Sequence, residues 1–137
     1  MSYILDTTEE IEELVTKIVN DRGMNRTELN VTNLSHPLYS VEEWLGYISS
    51  SDLIVTNSFH GCIFSIIFNK PLIFTYNTQR GNARFFSLVE LFNLNDNFIT
   101  SIADYNPKKP YCLPPEIQNT LSQLKDESIK FLIDSLK

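Results

Sequence analysis

The chain lacks the features of zinc-binding, disulfide-rich and membrane-spanning proteins. It has two cysteines, Cys62 and Cys112, with no Cys-x-x-Cys spacing or Cys/His cluster that would indicate a zinc site or a disulfide framework. The longest mostly apolar stretch, 62–68, is far shorter than the roughly 20 residues of a membrane helix. No basic segment followed by an apolar one marks a signal peptide. We therefore expect a cytoplasmic protein with no bound metal.

Positive charge is also scarce. Eleven lysines and arginines stand against 17 acidic residues, which gives a formal net charge of −6 at pH 7. A nucleic-acid-binding surface needs a basic face that neutralises phosphates, so we expect no nucleic-acid partner. Neither a G-x-G-x-x-G motif nor a P-loop motif is present, which disfavours a dinucleotide site and a P-loop nucleotide site.

What the chain does have is an alternation of short apolar strands with amphipathic helices. Its 137 residues, 42% of them hydrophobic, suit one globular domain. The apolar patterns predict strands at 3–5, 28–32, 53–56, 72–76 and 98–102. This alternation predicts a doubly wound α/β fold, a Rossmann-like three-layer domain with a mainly parallel sheet of about five short strands.

Helix starts and ends are marked by capping residues. Thr7 with Glu10, and Ser40 with Glu43, have the spacing of capping boxes. Gly23 is placed to end the first of these helices. We therefore expect one helix to begin at Thr7 and another at Ser40.

The later helices carry aromatic and aliphatic side chains. In the helix predicted over 82–92, Phe85 and Phe86 are adjacent, so at most one of them can face the core. Pro114 and Pro115 open a terminal helix with one apolar stripe, formed by Ile117, Leu121, Leu124, Phe131 and Leu132. Separately, an apolar surface left bare where a partner domain is absent would allow two copies of the chain to pair as a homodimer, and the aromatic residues near Phe85 and Phe86 are compatible with such a surface.

A polar turn follows the third predicted strand. Residues 56–61 read Thr-Asn-Ser-Phe-His-Gly, at a strand end where a helix begins. Helix-start N–H groups favour anions, and Gly61 leaves room for a ligand to approach. We therefore expect Ser58 and Gly61 to bind an anionic group, and His60 to act as an acid or base beside it. Ser58 and His60 could equally cap a helix that binds no ligand, and the spacing leaves both interpretations open.

Two arginines follow the fourth predicted strand. Arg80 and Arg84 flank the start of the helix over 82–92, where guanidinium groups suit a carboxylate or a phosphate. They could equally be solvated arginines, one of them paired with an acidic neighbour.

Several segments of the sequence resemble the C-terminal signature of the polysaccharide pyruvyl transferase family. The resemblance runs from about Tyr3 to Ile99, and its segments are SVEEWLGYI at 40–48, DLIVTNSFHG at 52–61, FSIIFNKP at 64–71, RGNAR at 80–84 and SLVELFNL at 87–94. It implies a two-domain, GT-B-like enzyme whose active site lies between two Rossmann-like halves. Members are typically well over twice this length, so residues 1–137 would form the single C-terminal domain, with the N-terminal half absent.

The resemblance also implies a reaction. Pyruvate is transferred from phosphoenolpyruvate, the donor substrate, to a sugar of a surface polysaccharide as a ketal, with no further cofactor. His60 would be the acid or a donor ligand, Ser58 and the N–H groups around Gly61 would bind an oxyanion, and Arg80 and Arg84 would neutralise the donor. Acceptor contacts are expected largely from the absent half, so we expect the fragment alone to be inactive. The basic residue that such proteins often have near Asn97 is missing here.

Two other functions remain open from the sequence. A nucleotide-sugar glycosyltransferase half-domain of the GT-B type shares the fold and also binds a phosphate-bearing donor. Glu90 lies on the helix that would carry a ribose-binding carboxylate. A non-catalytic binding or assembly module is the other possibility.

Overall fold

A parallel three-stranded sheet forms the centre of this mixed α/β protein. The structure, a computed structural model, describes residues 1–29, 39–77 and 81–136. The strands are β1 (Ser2–Tyr3), β2 (Ile54–Thr56) and β3 (Leu72–Phe74), in the spatial order β1-β2-β3. Five helices surround them in the described chain: α1 (Glu9–Arg22), α2 (Val41–Ser50), α3 (Phe59–Ile67), α4 (Ala83–Phe92) and α5 (Ile117–Ser135).

Single parallel bridges extend the sheet on each side. Glu28 bridges to Ser2 beside β1, and Phe98 bridges to Phe74 beside β3. These are the places of the second and fifth predicted strands, so five strands are not confirmed: the described residues form three strands and two single bridges. Residues 30–32 of the second predicted strand lie outside the described residues.

A local turn explains why the last predicted strand stops after one bridge. The carboxylate of Asp104 accepts hydrogen bonds from the backbone N–H groups of Thr100 and Ser101, at 3.1 and 2.9 Å. Those two donors are therefore not available to a sheet ladder, and Ile102–Asp104 forms a short 3-10 helix instead. A side chain that offers the backbone a local partner competes with strand pairing in this way.

The sheet buries side chains on both faces. Val55 and Ile73 belong to one apolar cluster with α1, whereas Ile54, Leu72 and Phe74 belong to a second cluster with α2, α3, α4 and the start of α5. Successive side chains of a strand point to opposite faces, so β2 and β3 separate these two clusters. Helices therefore pack on both faces of the sheet.

The helix starts follow the capping residues, with one shift. Ser40 and Glu43 form the predicted capping box at the start of α2, with reciprocal bonds of 2.8 and 3.1 Å. In α1 the N-cap is Thr8, one residue later than predicted, because its Oγ1 accepts from the N–H of Ile11 at 3.3 Å. Gly23 ends α1 with φ of 60°, a left-handed conformation that glycine adopts without strain.

The last two helices differ in how fully they pack. In α4, Phe85 is buried and Phe86 is 47% exposed, which confirms that only one of them faces the core. In α5, Ile117 is buried and Leu121 and Leu124 pack on the core. The last two residues of the predicted apolar stripe do not pack on the core of the described chain. Phe131 is 71% exposed and Leu132 is 59% exposed. Pairing of two copies as a homodimer stays a prediction.

No helix in the described part of the chain is both long enough and apolar enough to cross a membrane. Both cysteines are free thiols, Cys62 buried and Cys112 exposed, and burial raises the pKa of the Cys62 thiol well above its usual range.

Candidate functional site

The carboxyl ends of the three parallel strands meet at one edge of the sheet, which we call the carboxyl edge. A polar residue follows each strand there: Asp6 after β1, Asn57 after β2 and Asn77 after β3. Asn57 accepts a hydrogen bond from the N–H of Leu5 at 2.8 Å and donates to the carbonyl of Asp6 at 2.9 Å. Asn77 donates to the carboxylate of Asp6 at 2.8 Å and, more weakly, to the carbonyl of Asn57 at 3.4 Å. These amide side chains tie the three loops together.

The chain also changes direction at this place. From β1 it passes through α1 to the bridge at Glu28 on one side, and it then returns to form β2 on the other side of β1. Open parallel sheets bind ligands in the crevice where the strand order reverses, outside the carboxyl ends of the strands. Asn57 spans this position, between the loop after β1 and the start of α3.

The start of α3 is fixed by buried hydroxyl groups. The Thr56 hydroxyl donates to the carbonyl of Tyr3 at 2.5 Å and accepts from the N–H of Ser58 at 3.0 Å. Ser58, which is also buried, is the N-cap of α3, and its Oγ accepts from the N–H of Gly61 at 3.4 Å. Ser58 therefore caps the helix, and its role in substrate binding stays a prediction.

Gly61 is required by packing against the sheet. A Cβ at this position would lie 2.6 Å from Oγ1 of Thr56 and 3.1 Å from the ring of Tyr3. Packing against Thr56 and Tyr3 is therefore sufficient reason for a glycine here, and its role in ligand binding stays a prediction. Its N–H is also directed to Ser58, so an anion at this helix start would use other donors.

The open donors are the N–H groups of Phe59 and His60. Among the described residues neither has a hydrogen-bond acceptor. They occupy the first two positions of α3, where the helix dipole is positive, and the first turn of α3 contains no acidic residue. The sequence predicts an oxyanion site on the N–H groups around Gly61 without saying which of them are open. An N-cap serine satisfies the third N–H of a helix and leaves the first two open.

His60 and Arg84 both lie next to the ring of Phe59. The His60 side chain is exposed, and the centroid of its ring lies 6.1 Å from that of Phe59. The guanidinium of Arg84, in the first turn of α4, lies 5.1 Å from the centroid of the Phe59 ring, within the range of a cation–π contact. Phe59 is therefore the shared neighbour of His60 and Arg84 at the carboxyl edge. Arg80 lies outside the described residues.

This arrangement suits a small anion. Two open N–H groups, an imidazole and a guanidinium border one exposed turn, and groups of these types bind carboxylate and phosphate oxygens. Among the described residues, no His, Cys, Asp and Glu side chains are grouped so that three or more could hold a metal ion.

The comparisons with known proteins point to one family. A family model described as polysaccharide pyruvyl transferase matches residues 2–79, which is more than half of the chain and includes β1, β2, α3 and β3. Ser58, His60 and Gly61 fall inside the match, whereas Arg80 and Arg84 lie beyond it. Comparison with curated proteins and with solved structures gave no match.

Proposed function

This chain belongs to the polysaccharide pyruvyl transferase family, and from that premise we propose that it is the C-terminal, Rossmann-like half of a two-domain enzyme. The enzyme transfers pyruvate from phosphoenolpyruvate to a sugar of a surface polysaccharide and works in the cytoplasm. The observation that carries the proposal is the start of α3, where His60 is exposed, two N–H groups are open and the ring of Phe59 contacts Arg84. Both the turn and the strand before it lie inside the matched segment.

Phosphoenolpyruvate carries a carboxylate and a phosphate, and the start of α3 offers donors for one of them. The N–H groups of Phe59 and His60 hold an oxygen at the positive end of the helix. The guanidinium of Arg84 adds a charge-assisted contact from the next helix. Ser58 and Gly61 act indirectly in this arrangement, because they fix the turn that presents the two donors.

His60 supplies a proton to the bound donor in this proposal. The imidazolium protonates the methylene carbon of phosphoenolpyruvate, and the adjacent carbon becomes an oxocarbenium-like centre. One sugar hydroxyl adds to that carbon and gives its proton to His60, which restores the imidazolium. The C–O bond to phosphate then breaks, and phosphate leaves with the bonding electron pair. A second hydroxyl adds to the same carbon and gives its proton to the departing phosphate, which closes the ketal. The products are the pyruvyl ketal and inorganic phosphate.

The proposal is tested by phosphate release from phosphoenolpyruvate in the presence of a saccharide acceptor. The full-length enzyme is compared with its His60→Ala variant, and the matched control is His36→Ala, which replaces the other histidine of the chain. We expect His60→Ala to lower the rate by roughly two or more orders of magnitude, the scale of a lost general acid, and His36→Ala to keep it.

Two results would contradict the proposal. If the enzyme releases no phosphate from phosphoenolpyruvate but turns over a nucleotide-sugar, the helix start binds the phosphate of a glycosyltransferase donor. If both histidine variants keep full activity, His60 has no part in the chemistry.

A further inference from the structure

A cavity of about 210 Å³ lies at the carboxyl edge, on the face that carries α1, between the start of α1, the end of β3 and the turn after Phe98. We call it the hydroxyl cavity. The polar lining groups that matter for its chemistry are Asp6, Thr7, Glu10, Thr100 and Ser101.

The charge of the hydroxyl cavity disfavours an anion. None of the described residues that line it is Lys, Arg or His, whereas two, Asp6 and Glu10, are acidic. The start of α1 does not offset this, because its first turn contains three acidic residues that face the positive end of the helix dipole. A neutral ligand with several hydroxyl groups suits these carboxylates and threonine and serine oxygens, which accept hydrogen bonds.

The size of the cavity limits the ligand. Pockets that enclose a drug-sized molecule have volumes of roughly 300–1,000 Å³, and the hydroxyl cavity has about 210 Å³. It is therefore too small for a nucleotide-sugar and suits one pyranose ring.

The polar atoms of the cavity are held in place. The hydroxyl groups of Thr100 and Ser101 both donate to the carboxylate of Asp104, at 2.6 and 3.2 Å. Their protons are engaged there, so their oxygens present lone pairs as acceptors. Hydrogen bonds from Thr100 and Ser101 lower the pKa of Asp104, and the bond from the Thr100 side chain is the largest cause. This carboxylate is therefore ionised. On the opposite wall, the carboxylate of Asp6 is oriented by Asn77.

We propose that the hydroxyl cavity binds one neutral pyranose ring of the saccharide acceptor. This inference rests on the proposed function, which requires an acceptor sugar. The hydrogen bonds from Asp6 through Asn77 to Asn57 connect the cavity with the loop that begins α3, so donor and acceptor would meet at one edge of the sheet. This half of the enzyme then contributes acceptor contacts, which the family resemblance assigned largely to the other half.

The test is a titration of the ¹⁵N-labelled 137-residue chain, followed by amide chemical shifts. The probes are methyl β-D-glucopyranoside, methyl β-D-galactopyranoside and, in a separate titration, phosphoenolpyruvate. We expect at least one glycoside to shift the amides of 75–77 and 100–102 with millimolar affinity, and phosphoenolpyruvate to shift those of 59–60 instead. Absence of any glycoside shift at roughly 100 mM, far above a millimolar dissociation constant, would overturn the inference.

Variants separate the cavity from the rest of the surface. Asp6→Asn keeps the shape and an acceptor for Asn77, and we expect it to weaken glycoside binding roughly tenfold through loss of a charged acceptor. Asp52→Asn, the same change at the start of β2, is the matched control and should leave binding unchanged. If Asp6→Asn does not fold, Glu10→Gln takes its place, with Glu9→Gln as its control. Equal affinities of variant and control would overturn the inference.

The two probes also distinguish the two proposals. If phosphoenolpyruvate shifts 59–60 and no glycoside binds the cavity, the acceptor subsite is wrong while the proposed function stands. If a glycoside binds the cavity and phosphoenolpyruvate binds nowhere, the sugar site stands and pyruvyl transfer by this chain is contradicted. If phosphoenolpyruvate occupies the cavity, the inference from charge is wrong.

Discussion

Two of the helices that begin at the carboxyl edge of the sheet, α1 and α3, differ in the charge of their first turns. The first turn of α1 contains Glu9, Glu10 and Glu12, whereas the first turn of α3 contains no acidic residue. The carboxylates of α1 neutralise its own dipole, so of these two helices only α3 keeps a positive potential at its start. The two helices therefore suit different ligands although the same sheet positions both of them.

The difference shows that the fold alone does not assign the ligand. A parallel sheet brings loops together at its carboxyl edge, and the residues of each loop then decide between an anion and a neutral sugar. At α3 they are two open N–H groups, His60 and Arg84; at the hydroxyl cavity they are carboxylates and hydroxyl oxygens. An enzyme that joins an anionic donor to a neutral acceptor needs both kinds of surface within reach of each other.

The largest expected effect comes from removing the side chain that joins the two regions. Asn57 is 1% exposed, and Asn57→Ala leaves the N–H of Leu5 and the carbonyl of Asp6 without this partner. We expect the free energy of unfolding to fall by about 3 kcal/mol, because unpaired buried polar groups are costly. Urea unfolding followed by circular dichroism measures it.

The control for Asn57 is Asn119→Ala, an exposed asparagine on α5, which should change the stability by less than about 0.5 kcal/mol. If the folded Asn57→Ala chain keeps wild-type affinity for both phosphoenolpyruvate and the methyl glycoside, the two regions do not depend on this connection.

A smaller effect is expected from Gly61→Ala, which tests why this turn contains glycine. The added methyl group would lie 2.6 Å from Oγ1 of Thr56, so we expect a loss of about 1–3 kcal/mol from overpacking. The matched control is Gly46→Ala in α2, where an added Cβ meets no atom within 4 Å. That variant should gain about 0.5–1 kcal/mol, the usual advantage of alanine inside a helix. Wild-type stability of Gly61→Ala, with loss of phosphoenolpyruvate binding, would support the ligand-based explanation.

Local features of the site could be predicted from the sequence, and distant contacts could not. The helix after β2, its N-cap Ser58 and the inward position of Phe85 follow from residue types and spacing within one or two turns. The bonds of Asn57 join residues that are 51 and 52 positions apart. No local pattern indicates that an asparagine in a turn will pair with the end of another strand.

The same distinction explains the errors in the fold. The alternation of apolar residues at 98–102 predicts a strand, but Asp104 captures the N–H groups of Thr100 and Ser101 and ends the pairing. The packing role of Gly61 could not be predicted either, because its neighbour Tyr3 comes from the far end of the sequence. The hydroxyl cavity was missed for this reason too, since its walls come from three separate segments.

The smallest expected effect, and the most direct test of the comparison, comes from Arg84→Gln. Arg84 is exposed and contacts Phe59, so stability should stay within about 0.5 kcal/mol of the wild type. Phosphoenolpyruvate affinity should fall roughly tenfold through loss of a charge-assisted contact, while affinity for the methyl glycoside stays the same. Lys130→Gln on α5, with the same change in net charge, controls for long-range electrostatics. If Arg84→Gln weakens both ligands equally, the start of α3 and the hydroxyl cavity form a single site, and charge does not sort donor from acceptor.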